Sequence, residues 1–455
     1  MATDPTQSIR HTREATPLAT NVHQVLQRLA TIAPSPVQPI LTVMLDWRPE
    51  GTNPGGTQPD NGEPDLKRSQ RRNAPQSAQE SVRRPARLVL ERELKRLIDE
   101  HGPRGDTFDT LNADAERISA YLDGELDPGA HGVVIVACSA RNIFEAVPLA
   151  LPVPTRIALG PLPALSGLAR VEDDYPTYAV LLADQHTATL SYVTHATAHG
   201  SIELKSSDYP RRQMQGGWSQ RRFQARAGER VDAFARDIAS ETQRAMDDLG
   251  IEMLIVAGDE VITSPLDASF HQSVSDRVIA TMRLDIQTSD SDLLEATLPV
   301  AEAAERERES DLVQRLRDAI GHGEYGASRV SDVLAALQAG QVDTLVMVDD
   351  FEAAGWADFG FPAYGADDPP KSHPLGGNSA DIVPVDIREA LVFLALTTDA
   401  NFNVIHSAAP VPERVAESDI ERESVEPRLP AAVSLDEIGG GGAILRFSMD
   451  GESQA

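Results

Sequence analysis

The sequence is short of the residues on which several classes of protein depend. Its single cysteine, Cys138, excludes an intramolecular disulfide framework and a multi-cysteine zinc ribbon. No stretch approaches the ~20 consecutive apolar residues of a membrane-spanning helix, and the first residues lack the apolar core of a signal peptide. We therefore expect a cytoplasmic protein with no membrane-bound part.

Basic charge is also scarce. The 41 Lys and Arg residues are opposed by 70 Asp and Glu residues, which gives a formal net charge of −29. Affinity for phosphate depends on cationic side chains, so the chain taken as a whole is a poor match for a nucleic-acid binder. Charges are largely screened beyond ~8 Å at physiological ionic strength, however, so a local basic patch on this chain can still bind an anion.

The length and the apolar content predict several globular domains. The chain has 455 residues, of which 41% are hydrophobic, and domains of ~100–200 residues would make two or three of them. We expect a flexible N-terminus, an N-terminal α/β domain, a central domain, a C-terminal domain and a tail, at residues 1–35, 36–172, 173–292, 293–448 and 449–455. Residues 49–85 are predicted to be a disordered basic insertion, either a solvated loop or a segment that holds RNA.

Hydrophobic periodicity predicts the main elements of an α/β fold. Apolar runs at 40–45 and 132–137 indicate buried strands, and 178–183 with 187–193 indicate a hairpin. Amphipathic repeats predict helices at 86–100, 113–121, 218–249, 267–278 and 301–320. The segment 351–386 has the composition of a loop.

The most unusual stretch is 209–230, YPRRQMQGGWSQRRFQARAGER, which carries six arginines and one acid, Glu229, for a local charge of +5. Its glycine pair, Gly216 and Gly217, permits backbone conformations that other residues avoid and lets main-chain amides approach a ligand. Trp218 can stack on a base, and Gln220 offers both a donor and an acceptor. The six arginines are Arg211, Arg212, Arg221, Arg222, Arg226 and Arg230.

The helix predicted to follow this stretch carries an arginine stripe. Arg222, Arg226 and Arg230 are spaced four residues apart and therefore share one face of a helix. The guanidinium group matches phosphate oxygens in its geometry, so phosphate-rich RNA is the expected partner of this stripe. A solvated surface helix after a flexible loop is the alternative interpretation.

Three motifs together resemble those of a known family. The tip QGGWSQRRFQ, between a strand-rich segment and a long helix, resembles the central domain of the archaeo-eukaryotic class-one release factors and Pelota-like proteins. Their bacterial relatives, including peptidyl-tRNA hydrolases of ribosome quality control, carry tips of the GGxSQ type. Residues 324–351, with Tyr325-Gly326, a helix, Gly340 and an apolar strand, resemble the family's C-terminal domain, and GGGGAILRF at 439–447 resembles its closing strand.

The resemblance implies a fold and a mechanism. It implies a central ribonuclease-H-like sheet-and-helix domain with a glycine-rich tip, and a C-terminal α/β sandwich of the release-factor type. Main-chain and glutamine groups of the tip position a water against the ester between peptide and tRNA, so Gly216, Gly217 and Gln220 would be catalytic. The six arginines and Trp218 would bind ribosomal RNA and tRNA, and no cofactor or metal is required.

The tip departs from the classical tip of the family in one respect. Trp218 and Ser219 stand between the glycine pair and Gln220, whereas the usual tip has glutamine directly after the glycines. The superfamily also contains factors that do not hydrolyse peptidyl-tRNA, such as Balon-like hibernation factors that occupy the A site. The resemblance thus predicts either codon-independent peptidyl-tRNA hydrolysis or non-catalytic occupation of the A site. In both cases the ribosome is the expected partner, and a translational GTPase such as EF-Tu is a further candidate partner.

Two other groups of side chains suggest metal binding, each with a structural alternative. His195 and His199 are spaced as metal ligands of a helix, but they fall in a strand-to-loop region without a third ligand. Asp184, Asp259 and Glu260 follow predicted strands, where a nuclease of the ribonuclease H type holds two metal ions. Acids that cap strands are common, and Cys138, at the end of a buried strand, is expected to be a packed thiol.

Overall fold

The computed structural model describes residues 10–12, 22–48, 84–100, 104–149, 152–174, 177–194, 197–205, 220–323, 325–408 and 428–447. The chain divides into two compact units. The first comprises Met1–Pro17 and Asp174–Glu309, and the second comprises Leu18–Asp173 and Ser310–Ala455. The division into three domains that the sequence predicts stays a prediction. Residues 49–83 of the predicted basic insertion lie outside the described residues.

Strands and helices of the described residues are mixed along the chain, which confirms the predicted α/β class. The strands are β1 (Arg10–Thr12), β2 (Ile40–Asp46), β3 (Gly132–Cys138), β4 (Ile143–Leu149), β5 (Arg156–Gly160), β6 (Tyr178–Ala183), β7 (Thr187–Thr194), β8 (Thr197–Lys205), β9 (Leu254–Gly258), β10 (Val278–Met282), β11 (Gly326–Ala327), β12 (Val342–Val348), β13 (Ala354–Asp358), β14 (Ala363–Ala366), β15 (Val383–Asp386), β16 (Asn401–Ile405) and β17 (Gly441–Leu445). The helices are α1 (Val22–Ala30), α2 (Pro85–Glu100), α3 (Asp106–Gly124), α4 (Ser166–Asp174), α5 (Gln220–Leu249), α6 (Glu260–Ser269), α7 (Gln272–Ser275), α8 (Asp290–His322), α9 (Val330–Gln338), α10 (Ile387–Thr397) and α11 (Pro430–Asp436).

The first unit is built on a mixed sheet with the strand order β1-β8-β7-β6-β9-β10. Strands β6, β7 and β8 form an antiparallel meander. Strand β9 then pairs parallel with β6, and β10 pairs parallel with β9. Three antiparallel strands continued by two parallel ones are the arrangement expected of the predicted ribonuclease-H-like domain.

Helices cover both faces of this sheet, as the pattern of its central strand requires. Successive side chains of a strand point to opposite faces, and β6 is apolar at every position. Ala179 and Leu181 pack in a core with buried side chains of α5 and α6. Tyr178 and Val180 pack on the other face against the first turns of α8, where the Tyr178 hydroxyl lies 3.0 Å from Oγ1 of Thr297.

The second unit contains two larger sheets. The first has the order β4-β3-β2-β5 and is antiparallel throughout. Helices α2 and α3 pack their apolar side chains on one face of it, with Leu90 and Ile118 fully buried. The strands predicted at 40–45 and 132–137 and the helix predicted at 86–100 are confirmed, and the single thiol, Cys138, is fully buried at the end of β3.

The other large sheet of this unit carries the C-terminal motifs. Its order is β11-β17-β12-β16, with β12 parallel to β16 and antiparallel to β17. Gly326 opens β11, and a Cβ at this position would lie 2.4 Å from the backbone nitrogen of Ile320. The glycine of the Tyr325-Gly326 motif is therefore required by the close approach of β11 to the end of α8.

Two predictions of secondary structure are wrong. The segment 351–386, expected to be a loop, contains an antiparallel sheet of order β14-β13-β15. Its strands are four or five residues long and contain Gly355, Gly365 and Pro384, so their composition resembles that of a loop. The helix expected at 267–278 is replaced by the end of α6, the short α7 and the start of β10, because Phe270 and His271 are extended and His271 caps a new helix.

No helix in the described part of the chain is both long enough and apolar enough to cross a membrane.

Candidate functional site

The predicted tip belongs to the connection between β8 and α5 in the first unit. Strand β8 ends at Lys205 and helix α5 begins at Gln220. Residues 206–219 lie outside the described residues. Five of the predicted site residues fall in this stretch: Arg211, Arg212, Gly216, Gly217 and Trp218.

The remaining predicted site residues lie on α5. Gln220 is the first residue of the helix, and Arg221, Arg222 and Arg226 follow in its first two turns. Positions 222, 226 and 230 recur at the four-residue interval that shares one helical face. Arg230, whose side chain is described, is exposed. The helix predicted at 218–249 is therefore confirmed, with its first residue at Gln220.

Helix α5 contributes buried side chains to the core of the first unit. Its buried side chains begin at Val231 among the positions whose burial is described, and they continue with Phe234, Ala235 and Ile238 into the core below β6 and β7. Gln220 precedes Val231 by eleven residues, which is about 16 Å of helix. The arginine positions 221, 222, 226 and 230 thus precede these described buried side chains along the helix.

Two carboxylates follow the ends of neighbouring strands in this unit. Ala183 of β6 is paired with Gly258 of β9 in a parallel register, so Asp184 and Asp259 follow at the same edge of the sheet. Gly258 has a φ of +149°, and a Cβ here would lie 2.1 Å from the carbonyl oxygen of Ala183. Only glycine allows the two strands to approach so closely at this edge.

Neither carboxylate is placed as a metal ligand. Oδ1 of Asp184 accepts hydrogen bonds from the backbone N–H groups of His186 and Thr187, at 2.7 and 2.6 Å, and so closes the turn between β6 and β7. Oδ1 of Asp259 lies 3.4 Å from a guanidinium nitrogen of Arg283. Among the described side chains no three His, Cys, Asp or Glu residues form a group that could hold a metal ion. His195 lies outside the described residues, and the side chain of His199 is not described.

A cavity in the second unit escaped the sequence analysis. It has a volume of about 130 Å³, and its lining includes Arg156, Arg170 and Arg388. Each arginine contacts a carboxylate, in the pairs Arg156–Glu389, Arg170–Asp349 and Arg388–Asp386 at 2.6, 3.1 and 3.7 Å. Because these charges are matched within the protein, we assign no ligand to the cavity. The partners in the first two pairs lie 233 and 179 residues apart in the sequence, and no local pattern predicts those pairs.

Comparison with known proteins matches the segment that carries the predicted tip to a known family. Residues 163–302 match the family model of the bacterial archaeo-eukaryotic release factor family 10. The match extends from α4 across the sheet of the first unit and α5 into α8, and it includes the predicted tip. No curated protein sequence matches the chain. The predicted resemblance to the archaeo-eukaryotic release factors is confirmed for this segment.

Several solved structures of release-factor-like proteins are similar to the chain at low sequence identity. A model of ribosome-bound archaeal Pelota and ABCE1 is 13% identical to this chain, with a TM-score of 0.35, and the match covers 98% of this chain and 99% of that chain. Pelota from Archaeoglobus fulgidus is 12% identical, with coverages of 72% and 82% and a TM-score of 0.29. Dom34 from S. cerevisiae, described as a translation termination-like factor that interacts with Hbs1, is 10% identical, with coverages of 70% and 80% and a TM-score of 0.35.

Proposed function

Because its tip-bearing segment matches a family of bacterial release factors, we propose that this protein is a ribosome-associated factor that enters the A site and promotes codon-independent hydrolysis of peptidyl-tRNA. The match over residues 163–302 is the observation that carries the proposal, since it spans both the predicted tip and the helix behind it. In this proposal, Gly216, Gly217 and Gln220 form the reactive tip. The six arginines of 209–230 and Trp218 hold ribosomal RNA and tRNA.

The start of α5 at Gln220 supports the proposal that this part of the chain binds RNA and acts on the peptidyl ester. The first N–H groups of an α-helix have no partner within the helix, and the helix dipole adds partial positive charge at the same end. Such an end favours phosphate oxygens and the oxyanion that develops when an ester is attacked. The arginines at 221, 222 and 226 belong to the same end of the helix, so charge and hydrogen-bond donors are concentrated there.

The proposed reaction is the hydrolysis of an ester. A water held by the tip attacks the carbonyl carbon of the peptidyl ester, and the bond from this carbon to the ribose oxygen of the tRNA breaks. The products are a peptide with a free carboxylate and a tRNA with a free hydroxyl. Orientation of the water and stabilisation of the oxyanion supply the acceleration.

One observation favours a second function, non-catalytic occupation of the A site and the peptidyl-transferase centre as in ribosome hibernation. Trp218 and Ser219 separate the glycine pair from Gln220, and Gln220 is itself the first residue of a helix. A glutamine that belongs to a helix is held by the backbone geometry of that helix. If it cannot reach the ester, the factor fills the site without releasing peptide.

Binding partners follow from either function. The tip and its arginines would contact large-subunit ribosomal RNA and peptidyl-tRNA, and the protein would act where ribosomes are, in the cytoplasm. A translational GTPase such as EF-Tu is proposed as the factor that delivers it.

The experiment that tests the proposal is release of labelled peptide from purified stalled ribosomes. We expect wild-type protein to release peptide, and Gly217→Ala and Gln220→Ala to bind ribosomes without releasing it. Gln243→Ala, in the later part of the same helix, is the matched control and should release peptide at the wild-type rate.

The outcomes separate the candidate functions. Release by the wild type that is lost in both tip variants supports hydrolysis. Ribosome binding without release by any variant supports occupation of the site. Absence of ribosome binding by the wild type contradicts both functions.

A further inference from the structure

The small sheet of the second unit presents two apolar side chains to solvent. Phe361 follows β13 in the connection to β14, and Leu375 lies in the longer connection to β15. Their exposed fractions are 51% and 62%. A single exposed apolar residue is ordinary on a protein surface. Phe361 and Leu375 are unusual because both contact the same group of buried side chains.

A buried pair of polar side chains fixes both residues. The side chains of Asp358 and His373 are 2% and 0% exposed, and Oδ2 of the aspartate lies 3.0 Å from Nε2 of the histidine. The other oxygen of Asp358 accepts hydrogen bonds from the backbone N–H groups of Gly360 and Phe361, at 2.7 and 3.2 Å. Nδ1 of His373 accepts the backbone N–H of Leu375 at 3.1 Å.

The rings pack around this pair. The ring of Phe361 lies 5.3 Å from that of His373 between centroids. At Gly377 a Cβ would lie 3.0 Å from both of these rings. The connections that carry Phe361 and Leu375 are therefore held in one conformation by groups buried beneath them. Such order before binding lowers the conformational entropy that a complex must lose.

The charge of the segment that carries Phe361 and Leu375 distinguishes between a nucleic-acid partner and a protein partner. From 352 to 381 the exposed ionic side chains are four acids and one lysine, a balance of −3, and the sequence has no arginine there. The residues are Glu352, Asp367, Asp368, Asp381 and Lys371. RNA, which is polyanionic, is repelled by such a surface, whereas a basic protein surface is attracted to it.

We propose that Phe361 and Leu375 are the apolar centre of a docking surface for a basic protein, which on the ribosome is a ribosomal protein with a cationic, partly apolar patch. An exposed aromatic residue that contacts buried groups, in a segment whose charge is complementary to the partner, has the character of an interface hot spot. This inference rests on the proposed ribosome association. It assigns protein recognition to the small sheet and RNA recognition to α5.

The test uses the full chain and purified ribosomes. Phe361 is replaced by the photo-crosslinking residue p-benzoylphenylalanine, and Val37, which is 82% exposed elsewhere in the same unit, is replaced likewise as the control. After irradiation, nuclease and protease digestion distinguish a crosslink to RNA from one to protein. We expect position 361 to crosslink to a ribosomal protein and position 37 to give no specific product.

Binding measurements provide the second arm. The double variant Phe361→Ser/Leu375→Ser should raise the Kd for ribosomes by about tenfold or more, whereas Val37→Ser should leave it unchanged. Both residues are half exposed or more, so the variants should fold, and a thermal unfolding curve like that of the wild type verifies this. The single variant Leu375→Ser, at the more exposed position, should show part of the effect.

The results separate this inference from the proposed function. A crosslink to ribosomal RNA, or an unchanged Kd of the double variant while the wild type binds, overturns the docking surface and leaves ribosome association standing. Failure of the wild type to bind ribosomes contradicts the proposed function, and the docking surface falls with it.

Discussion

A carboxylate oxygen of Glu389 lies 2.6 Å from the guanidinium group of Arg156, which precedes it by 233 residues. The same carboxylate accepts hydrogen bonds from the hydroxyl and the backbone N–H of Ser166, at 2.5 and 2.9 Å, and its side chain is 6% exposed. Glu389 lies in the first turn of α10, and Ser166 is the first residue of α4. The ion pair therefore links the two chain segments, Leu18–Asp173 and Ser310–Ala455, that form the second unit.

Removing the charge of Glu389 should destabilise this unit. Glu389→Gln leaves Arg156, which is 29% exposed, without its closest anionic partner. Loss of one partner of a buried pair costs ~3–5 kcal/mol, and we expect the lower end of that range because Arg156 also contacts Asp386. The measurement is chemical unfolding of the full chain. Glu437→Gln, which removes a pair with Arg317 at a site 60% exposed, is the control and should cost less than ~1 kcal/mol. Equal losses of unfolding free energy in the two variants would contradict the larger contribution that we assign to the Glu389–Arg156 pair.

A methyl group at Gly258 should weaken the sheet of the first unit. In Gly258→Ala the new Cβ would meet the carbonyl oxygen of Ala183, and the φ of +149° is unfavourable for alanine. We expect a loss of more than ~1 kcal/mol and faster amide hydrogen exchange in β6 and β9. Gly124→Ala, where nothing lies within 4 Å of the added Cβ, is the control. It should keep or slightly raise stability, and unchanged exchange in Gly258→Ala would contradict the assigned close approach.

The thiol of Cys138 should report on opening of the second unit. Its side chain is fully buried, and burial raises the pKa of the thiol. The reactive species is the thiolate, so a higher pKa moves the increase of the reaction rate to higher pH. We expect a thiol reagent to react at least about a hundredfold more slowly with native protein than with protein in denaturant, since reaction requires local opening. The chain has one cysteine, so the amplitude is one thiol per chain. Rapid stoichiometric reaction of the native protein at neutral pH would contradict the burial of Cys138.

Local patterns in the sequence predict the elements that bury a regular face. Helix α2 and strand β3 are predicted because their apolar residues recur at the helical period or form an uninterrupted run. The tip was predicted from local features as well, a glycine pair and a cluster of arginines. Five of its residues lie outside the described part of the chain, and the roles of all ten predicted site residues remain predictions.

The structural features that the sequence does not predict depend on contacts between residues distant in sequence or on weak local patterns. The pairing of Glu389 with Arg156 connects positions 233 residues apart, and no local period indicates it. The small sheet was missed because its short strands contain glycine and proline and are stabilised by pairing, with little intrinsic preference. His373 gave no signal as an isolated histidine in a segment that resembles a loop. Its role depends on Asp358, which only the fold brings into contact with it.

The most direct test of the central claim, that the basic end of α5 binds ribosomal RNA, is ribosome pelleting across a salt series. The double variant Arg226→Glu/Arg230→Glu is compared with Arg92→Glu/Arg96→Glu, which reverses two exposed arginines at the same spacing on α2. If each arginine at 226 and 230 contacts one phosphate, the slope of log K against log salt should be smaller by about 1.4–1.8 in the first variant, with weak binding at every salt concentration. The α2 variant should match the wild type. Wild-type affinity and salt slope in the Arg226→Glu/Arg230→Glu variant would contradict the claim.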